Sequence, residues 1–80
     1  MTAADRYDAA KRLEDDFAAR IPLAAGYHLA SLALERRQPC RVTRDLAAHN
    51  EGRLGGLLFA YDEARDASTI AFAAMISETR

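Results

Sequence analysis

Gly52, Gly55 and Gly56, three of the chain's four glycines, fall within five residues, directly ahead of the segments LLFAYDEA and STIAF. That cluster leaves the second half of the chain two ways to fold. Read as a helix, Leu54, Leu57, Leu58 and Tyr61 gather within about 100° of arc, opposite Asp62, Glu63 and Asp66. LLFAYDEA is rich in helix formers. Each glycine would cost roughly 1 kcal/mol in a helix interior and less in a fraying first turn. Read as a hairpin, Leu57, Phe59 and Tyr61 alternate with Leu58, Ala60 and Asp62, and Ile70, Phe72, Ala74 and Ile76 form the returning face. DEARDAS is then an Asp-rich turn. Valine occurs once and isoleucine three times, which is poor material for a sheet. Helix is therefore the favoured reading, with the hairpin as its alternative.

The first half is clearer. Thr2 and Asp5 have capping-box spacing, with aspartate in place of the usual glutamate, and open a helix expected over residues 2–20. At 100° per residue, Ala3, Tyr7, Ala10, Leu13, Phe17 and Ile21 form one apolar stripe. Asp8–Arg12, Lys11–Asp15 and Arg12–Asp16 are charge pairs spaced four apart, and Glu14 is the one exception at the stripe's edge. Pro22 cannot continue that helix but suits the first turn of another. A second helix is expected over residues 22–37. It is so apolar that only His28, Ser31 and Glu35 make a polar strip, which points to a central helix touched on several sides. RRQP ends it, because Pro39 biases Gln38 away from helical angles. Thr43 then caps a short helix that stops at Gly52.

The expected fold is a single all-α domain over residues 1–80, a small bundle of four to five helices. The alternative is α+β: two N-terminal helices followed by a small antiparallel sheet or hairpin. Half the residues are apolar and 29% are charged, a globular composition rather than a disordered one. A lone cysteine, Cys40, fits a reducing compartment. The polar N-terminal segment is no signal peptide, and no apolar run is long enough to span a bilayer. A soluble, cytoplasmic protein is expected.

Motifs for chemistry are missing. His28, Ser31 and Glu35 share one helix face, but three residues on one helix rarely converge as nucleophile, base and acid. Cys40 and His49 lack an acid partner. Asp15 and Asp16 are adjacent and diverge. Two histidines and one cysteine cannot make a conventional zinc site. GRLGG lacks the Lys-Ser/Thr of a phosphate loop. No enzyme activity, metal or cofactor is expected.

Charge is unevenly spread even though the net charge is −1: Arg36, Arg37, Arg41, Arg44 and Arg53 lie in a stretch whose only acids are Asp45 and Glu51. Guanidinium groups pair bidentately with carboxylate or phosphate. Residues 43–61 have the outline of a helix-turn-helix with Gly52 in the turn. However, Gly55, Gly56, Phe59 and Ala60 stand where base-reading side chains belong. The expected function is therefore protein binding, by homodimerisation or by stoichiometric capture of another protein or complex, with the five arginines meeting carboxylates. In size and lack of motifs the chain is similar to small inhibitors encoded by mobile elements, such as anti-CRISPR proteins and antitoxins. DNA binding or transcriptional regulation through the same basic segment is the second reading.

Overall fold

A computed structural model describes residues 1–79 and contains two helices, α1 (Ala3–Arg37) and α2 (Arg41–Thr79). They run antiparallel as a hairpin measuring 61 × 16 × 14 Å. No strand occurs among the described residues. The bundle of four to five helices and the α+β alternative are both overturned. The helices expected over residues 2–20 and 22–37 are one, and everything after Cys40 is another.

Both expected interruptions fail for the same reason. Pro22 lies inside α1 on its exposed outer side, so the helix loses one backbone hydrogen bond there without a clash against its partner. The glycines are also inside helices. An added Cβ at Gly26, Gly52, Gly55 or Gly56 would meet no atom within 4 Å, and none of them has positive φ. They occupy outer or flank positions where a side chain has open space, and the seam beside them holds the helix together.

That seam is a heptad repeat. In α1 the sequestered positions are Ala3, Tyr7, Ala10, Glu14, Phe17, Ile21, Ala24, His28 and Ser31, spaced alternately by four and three. In α2 they are Thr43, Ala47, Asn50, Leu54, Leu57, Tyr61, Ala64, Ser68, Ala71 and Met75, with the same spacing. Its buried members are four alanines with Ser31, Thr43, Ser68 and Glu14, and no large side chain is fully buried among the described residues. Small residues let the helix backbones approach closely. Tyr7 and Phe72 close the open end, ring centroids 5.5 Å apart.

The seam also corrects the expected faces. Leu13, placed on the stripe, is exposed, and Glu14 takes the buried position. The polar strip of α1 is inverted: Ser31 is buried and His28 half-buried, while Leu23, Tyr27 and Leu29 point to solvent. A chain with only one neighbouring helix can cover only one side of so apolar a segment.

Capping explains where the helices end. The Thr2–Asp5 box forms as the spacing implies, with Asp5 N–H donating to Thr2 Oγ1 (3.1 Å) and Thr2 N–H to Asp5 Oδ2 (3.2 Å). At the tip, Gln38 N–H closes α1 onto Leu34 C=O (2.8 Å), and Arg44 N–H donates to Cys40 C=O (3.0 Å) to open α2. Thr43 ties the loop: its hydroxyl accepts from Cys40 N–H (3.1 Å) and donates to Gln38 C=O (2.7 Å). Thr43→Val keeps the shape and removes both bonds. It is expected to lower unfolding free energy by about 1–2 kcal/mol, read from the urea midpoint at unchanged slope.

Candidate interaction surfaces

The structure divides the arginine segment. Arg36 and Arg37 end α1, and Arg41 and Arg44 begin α2, so these four crowd the hairpin tip around Gln38, Pro39 and Cys40. All four are exposed, and Arg41 reaches Asp45 at 3.8 Å. Arg53 is separate, about 13 Å further along α2 at 1.5 Å per residue. It faces a groove on one flank of the hairpin. The turn that a helix-turn-helix needs at Gly52 is absent, because residues 50–52 lie inside α2.

The groove holds the residues that sequence reasoning missed. One part, about 520 Å³, is lined by Leu23, Tyr27, Leu34, Leu46 and Arg53, among others. A contiguous part, about 660 Å³, adds Asp16, Arg20 and Gly56. Asn50 Nδ2 crosses between the helices to Tyr27 C=O (3.3 Å) and braces its floor. The apolar character of residues 22–37 predicts Leu23, Tyr27 and Leu34 inside a bundle. The unbroken seven-residue phase from Ala3 to Ser31 was the available signal, since it leaves those three residues outside the seam.

None of the residues weighed for catalysis converge. Ser31 Oγ donates to the His28 backbone C=O (2.8 Å), not to an imidazole. His28 Nδ1 is buried in the seam without a hydrogen-bond partner. Cys40 is exposed, and the Thr43 hydroxyl hydrogen bond, helped by backbone amides and Arg44, pulls its thiol below the ordinary value. His49 is some 13 Å from Cys40 along α2. No cluster of three or more His, Cys, Asp or Glu side chains suited to a metal occurs among the described residues. No described helix is long and apolar enough to cross a membrane.

The most sequestered polar contact has a structural task. Glu14 accepts hydrogen bonds from Lys11 and, across the seam, from Ser68 Oγ (2.6 Å). Its carboxyl is held below the usual range, first by Lys11 and then by Ser68. A depressed carboxylate stabilises the fold above its unfolded-state value, and that contribution disappears as pH falls through the folded-state value. Stability is therefore expected to decline as pH drops below about 4, the ordinary carboxylate region. Glu14→Gln should flatten that decline when Tm is measured from pH 7 to pH 2.

The chain matches no protein-family model, no curated protein and no solved structure.

Proposed function

We propose that the chain is a non-catalytic protein-binding module. The observation carrying this reading is the inversion of α1: its buried positions are Ala3, Glu14, Ala24 and Ser31, while Leu23, Tyr27, Leu29 and other large apolar side chains face solvent. Monomeric proteins seldom expose contiguous apolar surface of this kind unless something covers it. The groove adds polar groups at its rim, Asp16, Arg20 and Arg53, which suit the edge of a protein interface.

The basic tip supports nucleic-acid binding less well. Arg41 is already engaged by Asp45, and no helix is presented as a separate reading element. Gel-shift titration at low salt distinguishes the two readings. Binding that weakens steeply with added salt would favour phosphate contacts at the tip. No shift, together with saturable stoichiometric binding to one protein that is lost on Leu23→Glu, is the result expected here. Turnover of a small molecule that is abolished by changing Cys40, His28 or His49 would overturn the reading.

A further inference from the structure

We infer that the groove flank is covered by a second copy of this chain, giving an antiparallel dimer whose two hairpins form a four-helix bundle. This rests on the protein-binding reading and names its occupant.

Surface area is the first argument. The isolated hairpin exposes 5981 Å². A compact monomer of 8.8 kDa exposes about 4,800 Å² by the usual mass scaling. Each copy thus carries an excess of about 1,200 Å². A dimer that removed the excess from both copies would bury about 2,400 Å², within the range of obligate homodimers.

Composition selects the flank. Heptad spacing continues the Leu23, Tyr27 and Leu34 surface back to Leu13, and the α2 side back from Leu46 through Gly56 and Ala60 to Ile70. Gly56 and Ala60 admit the backbone of another helix. The opposite flank has its charges already paired, Lys11 with Glu14 and Asp15 and Arg65 with Asp62, beside the exposed Leu29 and Phe72. On the groove flank, Asp16 and Arg53 have no ion-pair partner among the described residues. They lie on either side of Leu23, Asp16 toward the open end and Arg53 beside Tyr27 toward the tip. A two-fold axis crossing the groove between Arg20 and Leu23 brings Asp16 of each copy to Arg53 of the other. Burying this face satisfies its apolar and charged groups together.

Sedimentation equilibrium of the full chain tests the proposal. Twice the chain mass of 8.8 kDa is expected at micromolar concentration. Leu23→Glu with Tyr27→Glu should weaken association at least 100-fold, whereas Leu29→Glu with Phe59→Glu, equally exposed but off this flank, should leave it intact. Asp16→Arg or Arg53→Asp alone should weaken the dimer, and the two together should restore it. That rescue cannot come from a variant that has simply unfolded. Spin labels on the native Cys40 should lie about 50–60 Å apart in the antiparallel dimer, from 1.5 Å per residue on either side of the axis. A monomer at 100 μM, equal loss from the Leu29/Phe59 variant, or short label distances would each overturn the proposal. A monomer that still captures one other protein sinks the dimer while leaving the protein-binding reading in place.

Discussion

Replacing Pro22 by alanine is expected to raise unfolding free energy by about 2 kcal/mol. Proline in a helix interior costs about 3 kcal/mol, through the missing N–H and the ring's conflict with the preceding turn. Restricting the unfolded chain offsets part of that, by up to about 1 kcal/mol. At this size, each kcal/mol shifts Tm by about 4–8 °C, so a gain of roughly 8–16 °C should be visible by circular dichroism. The result separates two folds. If Pro22 opened a second helix, its missing N–H would be harmless and alanine would bring no gain. A Tm unchanged or lowered by Pro22→Ala would contradict the continuous α1.

Gly52→Ala, Gly55→Ala and Gly56→Ala combined should stabilise the hairpin by about 1.5–3 kcal/mol, from about 0.5–1 kcal/mol at each helical site. A methyl group has open space at all three, and none of them has a left-handed backbone to lose. A turn at Gly52, or a fraying start at Gly55 and Gly56, would give the reverse or no effect. The same triple change probes the groove, because Gly56 lines it and Gly52 does not. A gain in Tm accompanied by weaker association would mean that close backbone approach at Gly56 matters to the interface. Gly52→Ala alone should raise stability without touching association.

These two substitutions mark where sequence reasoning stopped. Pro22 and the glycines act as breakers in an isolated segment. Local sequence carries no measure of a partner helix running alongside. The arginine cluster was legible as a run of charge, but its division between the tip and the groove was not, because the latter depends on the phase of α2. The groove residues were visible as apolar and were assigned inward for the same reason.

The sequence by itself determined that the first arm is helical and where that arm begins and ends. Alanine, arginine and leucine dominate, Thr2 and Asp5 cap the start, and RRQP closes the first arm, all through contacts a few residues apart. Only the tertiary structure decided that each arm runs unbroken and which side of it is sheltered. Local penalties of about 1–3 kcal/mol at Pro22 and the glycines compete with a seam that extends along the whole hairpin. The seam's phase is set by pairs such as Glu14 and Ser68, 54 residues apart in the chain.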